Sequence, residues 1–246
     1  MLKLNIFSLF LNIIKFDEVI SEVVIKAQNK QSSYLCAVNV HMATLAQQDL
    51  ILKEAVNNST WAVSDGVPIT WAMKLIKKNN QERIAGMDLT PRLLEIAESK
   101  GLVISVYGNT QKTLDNFRLH IEKNYKNLKI GTFISPPFRA LTENEIKCHV
   151  AKLNAVNSQI VLVSLGCPKQ EKWMFHNSRY INAVCLGIGN AINTTIGDEK
   201  RAPKFFQKIG FEWVFRLLQN PRRLFLRYLI TNSKFVKICL KEFFSI

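Results

Sequence analysis

Asp65 ends a short apolar run, Trp61–Val63 with Ser64 behind it, and is followed at once by Gly66. A carboxylate at such a strand end, between the tryptophans Trp61 and Trp71, can take a proton from an incoming hydroxyl as a general base. The same residue type in the same place also caps helices. Asp88, in Arg83-Ile84-Ala85-Gly86-Met87-Asp88-Leu89, reads as a helix cap, with Arg83 placed to pair with it or to reach a phosphate. The stretch VLVSLGCPKQE, 161–171, reads as strand, tight turn and helix start. Gly166 there lets a ligand approach the backbone, the helix N–H groups attract phosphate, and Gln170 offers both a donor and an acceptor. Gly108 and Gly189 mark two further turns of the same kind.

Other patterns exclude more than they suggest. Neither G-x-x-x-x-G-K-[ST] nor G-x-G-x-x-G occurs, so no Walker NTPase and no dinucleotide cofactor is expected. No D-x-D occurs, which weighs against a carboxylate-held divalent cation, and neither metal nor cofactor is expected. The five cysteines are odd in number and scattered away from the four histidines, which argues against a disulfide framework or structural zinc. Cys167, without an evident base, reads as structural, and His41 as a loop residue near a pocket.

The elements that would position these residues follow a repeating grammar of apolar run, polar loop and helix. Runs at Ser33–Val40, Trp61–Val63, Leu102–Gly108, Lys129–Ser135, Gln159–Leu165 and Ala183–Ile188 read as strands. Helices are expected over Asp17 to Asn29 with Asp17 as cap, and from about Met42 to Val56, Pro68 to Lys77, and Thr142 onward. Continuously apolar strands alternating with helices predict an α/β fold: a mostly parallel, Rossmann-like sheet with helices on both faces. Ligands bind beyond the carboxyl ends of such strands, where Asn39, Asp65, Gly108, Gly166 and Gly189 fall. The opening MLKLNIFSLFLNIIK reads as one or two buried strands rather than a leader.

The 246 residues carry 33 Lys plus Arg against 19 Asp plus Glu, a formal +14, with 48% apolar residues. That surplus predicts an anionic partner: nucleic acid, anionic lipid or a phosphorylated substrate. Residues 211–246 hold seven of the cations and two acids in two helices broken at Asn220-Pro221. Apolar and cationic residues alternate there at helical spacing, as in helices that lie on anionic membranes or pack on their own domain. The expected division is an α/β domain over 1–210, in two lobes of about 1–101 and 102–210, and a basic helical appendage over 211–246.

Taken in order, the motifs resemble those of the WecG/TagA/CpsF glycosyltransferases, family 26. They are Asn39, Ser64-Asp65-Gly66, Arg83-Ile84-Ala85-Gly86-Met87-Asp88-Leu89, Tyr107-Gly108, Ser135-Pro136-Pro137-Phe138, Gly166-Cys167-Pro168-Lys169-Gln170-Glu171, Gly187-Ile188-Gly189 and Arg201-Ala202-Pro203. Glu212-Trp213-Val214-Phe215-Arg216-Leu217 follows, then Pro221, Arg223, Arg227 and Tyr228. Ala37, Pro68 and Ile192-Asn193 depart from the family pattern, which often has a Thr, a Gly and an aromatic-Asp pair at these places. The resemblance implies a metal-independent, inverting transfer of an N-acetylmannosamine-type or related hexosyl unit from a UDP-sugar to a polyprenyl-diphosphate-linked sugar. It implies Asp65 as base and an arginine-bearing appendage that completes the site. On that reading Arg83 and Arg216, with Arg223 or Arg227, neutralise the departing diphosphate, and Asn39, Gly66, Gly108, Gly166, Gln170 and Gly189 bind substrate. An anionic membrane surface and a possible homo-oligomer are the further partners, with nucleic acid not expected because the cations sit beside aliphatic rather than stacking residues. A non-catalytic membrane-associated or nucleic-acid-binding protein is the alternative.

Overall fold

A computed structural model describes residues 2–203, 205–206, 210–219 and 221–244, without the side chains of 216, 222–224 and 227. Six strands form one sheet: β3 (Ser33–Val38), β4 (Trp61–Ser64), β5 (Val103–Gly108), β6 (Lys129–Ile134), β7 (Ile160–Ser164) and β8 (Val184–Gly187). Their order is β4-β3-β8-β7-β5-β6, and every neighbouring pair is parallel. The strands of 1–101 and those of 102–210 therefore meet in one sheet, at the β3–β8 pairing.

The period-two pleat divides each strand between two cores. Leu35, Trp61, Ile104, Leu162 and Leu186 face a core closed by helices α1 (Phe16–Gln28), α5 (Gly86–Lys100) and α6 (Gln111–Asn124), with α9 (Ala191–Thr195) at its rim. Cys36, Ala62, Tyr107, Val163 and Cys185 face the other. That second core is closed by α2 (Val40–Leu45), α3 (Leu50–Asn57), α4 (Val67–Lys77), α7 (Glu143–Ala155) and α8 (Lys169–Asn177). Both faces being covered, the strands can be apolar throughout, which is why they read as unbroken runs.

The N-terminal strands are present as a separate antiparallel hairpin, β1 (Lys3–Ile6) and β2 (Leu9–Asn12). Its two turn residues, Phe7 and Ser8, both adopt positive φ, +58° and +59°. Such a turn normally favours Asn and Gly. Here it is held because the Phe7 ring is buried and its carbonyl accepts from Gln47 Nε2 at 2.8 Å. The carboxyl-terminal segment forms α10 (Glu212–Gln219) and α11 (Pro221–Phe244), the second opening on Pro221. Phe235 of α11 is buried edge-on against Phe7, centroids 5.3 Å apart. No helix among the described residues is long and apolar enough to cross a membrane.

Three local expectations are corrected. The helix expected from Met42 to Val56 is two helices, because Asp49 accepts from Leu52 N–H at 3.1 Å and starts a new one. Asp17 lies inside the first turn of α1, while Glu18 closes back on the Lys15 N–H at 3.1 Å. Asp88 also lies inside a first turn, since Ala85 holds the cap position of α5.

Candidate active site

Connections leaving β5 and β7 run to opposite faces of the sheet, so the crevice beyond Gly108 and Ser164 is its switch point. A cavity of about 1300 Å³ opens there, lined by the loops after all six strands and walled by α4, α10 and α11. Asn39 and His41 enter it from the start of α2, Asp65 and Gly66 from the end of β4. Asn39 spends its side-chain oxygen on the Met42 N–H, 3.1 Å away, and thereby starts α2. Asp65 is fixed through its backbone, whose N–H donates to the Val38 carbonyl at 2.8 Å. Gly66, not Asp65, is the N-cap residue of α4. Of the two tryptophans expected beside the carboxylate, only Trp71 lines the cavity; Trp61 is buried in the α1-side core and donates to Glu22.

The glycine turns divide into two kinds. Gly166, at φ +76°, lines the cavity, and a Cβ there would meet nothing within 4 Å, so its backbone faces open space. Gly189 lines the cavity as well. Gly108 does not: a Cβ on it would stand 2.5 Å from the Ser164 carbonyl oxygen, so glycine is needed for β5 to approach β7. Gln170 is corrected too. It is 4% exposed and absent from the cavity wall, with Nε2 donating to Glu171 at 2.7 Å and Oε1 accepting the Gly189 N–H at 3.1 Å. It shapes the Gly189 turn from behind. Trp173 and Met174, three and four residues on, are buried, so Gln170 shares the inward face of α8.

Beneath these loops lies Glu171, fully buried, its carboxyl raised to about 6 by that burial. One of its oxygens has no hydrogen-bond partner. Burial also drives the neighbouring Cys167 thiol well above its ordinary range, in keeping with a structural role. The opposite wall is a run of polar groups that ends on the Glu199 carboxylate. Asn109 donates to Ser164 and Asn193, Asn193 to Asn190, Asn190 to Glu199, and Ser164 to the Gly189 carbonyl. This chain ties the loops after β5, β7 and β8 together, and Asn193 is one of the departures from the family pattern.

Arg83 lines the cavity with its guanidinium between two carboxylates, Asp88 at 2.7 Å and Glu212 of α10 at 3.4 Å. Arg201 pairs with the second oxygen of Asp88. Arg83 thus joins the appendage to the sheet domain, and much of its charge is already matched. The side chains of Arg216, Arg223 and Arg227 lie outside the described residues. Three contributors were missed from sequence: Lys169, which lines the cavity at the start of α8; Glu212; and Tyr107. Tyr107 stacks on Trp173, centroids 4.1 Å apart, and its hydroxyl meets His149 Nδ1 at 3.1 Å. Glu212 was legible in principle, as one of two acids among the seven cations of 211–246. Among the described residues no three His, Cys, Asp or Glu side chains converge as metal ligands.

Comparison with known proteins bears on this arrangement. The chain is similar to the N-acetylglucosaminyldiphosphoundecaprenol N-acetyl-beta-D-mannosaminyltransferase of Bacillus subtilis (strain 168), 30% identical over 216 residues, 87% of this chain and 81% of that protein. The proteins of the same name from Bacillus spizizenii (29% over 217 residues, 87% and 81%) and Staphylococcus aureus strain MW2 (24% over 198 residues, 80% and 76%) are also similar. The family model described as glycosyl transferase WecG/TagA/CpsF matches residues 4–246, and with a parallel sheet whose strand ends gather the family motifs around one cavity, this chain belongs to that glycosyltransferase family.

Proposed function

We propose that this chain transfers an N-acetylmannosamine-type hexosyl unit from a UDP-sugar to an N-acetylglucosaminyl residue carried on polyprenyl diphosphate, inverting the anomeric carbon. The relatives named above act on such a lipid-linked acceptor. The observation that carries the reading is that Asp65 shares one cavity with Lys169, Arg83 and the glycine turns at the sheet's switch point.

In this mechanism the acceptor hydroxyl attacks the anomeric carbon on the face opposite UDP. Asp65 takes the hydroxyl proton as the new C–O bond forms, and the bond from carbon to the β-phosphate oxygen breaks. A general base so placed contributes on the order of 10²–10⁴ in rate. Negative charge gathers on the departing diphosphate and is met by Lys169 at the start of α8 and by the arginines of the appendage, Arg216 with Arg223 or Arg227. Arg83 holds the appendage in register through Glu212. The Asn109–Ser164–Asn193–Asn190 wall, uncharged apart from Glu199, suits the hydroxyl and amide groups of a nucleoside or sugar rather than phosphate. The basic and apolar residues of α11 dock the enzyme reversibly on anionic lipid, where the acceptor is anchored; each Lys or Arg near such a surface contributes roughly 1 kcal/mol.

A donor panel tests this. UDP-linked N-acetylmannosamine, N-acetylmannosaminuronic acid, N-acetylglucosamine and glucose are offered with a short-chain prenyl-diphosphate N-acetylglucosamine, with and without a chelator. The expected result is one extended product by mass spectrometry, its anomeric configuration inverted by NMR, at a chelator-independent rate. Absence of product from every donor overturns the assignment.

A further inference from the structure

One half of the cavity is not polar. Trp71 and Leu75 stand one turn apart on α4, and Val236, Leu240 and Phe243 line up at the same helical spacing on α11. Phe138 stands at the rim, 84% exposed, in the loop after β6. Leu75 is 70% and Leu240 52% exposed, so these side chains form an open apolar trough rather than a closed core. Its two walls are held together at the carboxyl ends of α4 and α11 by Lys77 and Glu242, 3.1 Å apart. At the other end Gly210 packs so closely on Val67 that a Cβ would come within 3.0 Å.

We infer that this trough seats the isoprenoid units of the acceptor nearest its diphosphate. The inference rests on the transferase reading above and adds a subsite to it. Continuity carries it: the trough and the Asp65 end are one cavity, so its occupant has a polar reacting head joined to a long apolar tail. The volume of about 1300 Å³ also exceeds the roughly 300–1,000 Å³ of pockets that hold one small ligand. The wall of α4 is about 16 Å long, eleven residues at the helical rise, enough for a few isoprene units before the chain leaves for the bilayer. On this account α11 has a lipid-facing surface and a separate chain-guiding surface.

The test uses the full chain in lipid-free, detergent-free buffer, so that partition into a bilayer cannot contribute. Prenyl diphosphates of one to four isoprene units are titrated by calorimetry, and the matching N-acetylglucosaminyl acceptors are assayed for UDP release. Each buried methylene is worth up to about fourfold in affinity, so Kd and KM should fall about tenfold or more per added unit until the trough is full, with kcat little changed. The double variant Leu75→Gln/Leu240→Gln, at two exposed positions, should weaken the longer ligands at least tenfold, leave the one-unit ligand and UDP binding as they were, and keep the wild-type melting curve. Chain-length dependence that is absent, or the same in both proteins, overturns the subsite even if transfer proceeds. Chain-length-dependent binding without transfer would keep the subsite and remove the transferase reading.

Discussion

Buried beneath the cavity, Glu171 holds its proton more tightly than an exposed carboxyl: about 6, against an ordinary 4.5. Between those two values the folded protein binds more protons than the unfolded chain. Stability is therefore highest below about pH 4.5, falls as pH rises through 6, and stays lower above it, by about 2 kcal/mol for this one group. Glu171→Gln removes that loss while keeping an oxygen for Gln170 Nε2. Its melting temperature should exceed the wild type's by roughly 4–8 °C at pH 8 and match it at pH 4.5; parallel curves across this range in thermal unfolding would refute the assignment. Gln170→Ala acts differently. It leaves the Gly189 N–H and Glu171 each short of a partner, costing about 1–3 kcal/mol, and the turnover it loses should come with an altered hydrogen-exchange rate at the 187–190 turn.

At the scale of elements, the appendage is held by apolar packing centred on Phe235 and by ion pairs to Arg83 and Lys77. Phe235 is 7% exposed against Phe7, and truncating it to Ala should cost about 3 kcal/mol. Glu212→Gln removes only one of the two carboxylates on Arg83 and should cost about 1 kcal/mol. Limited proteolysis should therefore release residues beyond Gly210 faster in Phe235→Ala than in Glu212→Gln, and the reverse order would show that charge, not packing, seats α11. The helix start at Pro221 was legible because proline permits few conformations, and the N-terminal stretch was legible as strands, but their pairing into a separate hairpin was not. Nor was the division of 42–56. Gln47-Gln48-Asp49 contains no Gly or Pro, and only the tertiary setting selects the Asp49 cap over a continued helix.

For the molecule as a whole, +14 is unevenly spread, and residues 211–246 carry +5 of it. Ending the chain at Gly210 should abolish transfer and weaken binding to anionic vesicles, with the remaining binding less sensitive to salt; a fully active truncation would contradict both assigned roles of the appendage. The sheet and the gathering of functional loops at its strand ends could be read from the sequence, because a parallel sheet covered on both faces demands unbroken apolar strands. Which side chains face the cavity could not. Gln170 and Gly108 lie in the right loops but face protein; Arg83 pairs with Asp88 as its motif suggested, but its second carboxylate, Glu212, is brought from 129 residues away. Such partners are set by three-dimensional closure, not by spacing along the chain. The central claim, that Asp65 deprotonates the attacking hydroxyl, is tested most directly by single-turnover transfer with Asp65→Asn alongside UDP binding by calorimetry. The account predicts transfer slowed by about 10²–10⁴ with UDP affinity within a few-fold of wild type; transfer at the wild-type rate, or slow transfer explained wholly by lost UDP binding, would contradict it.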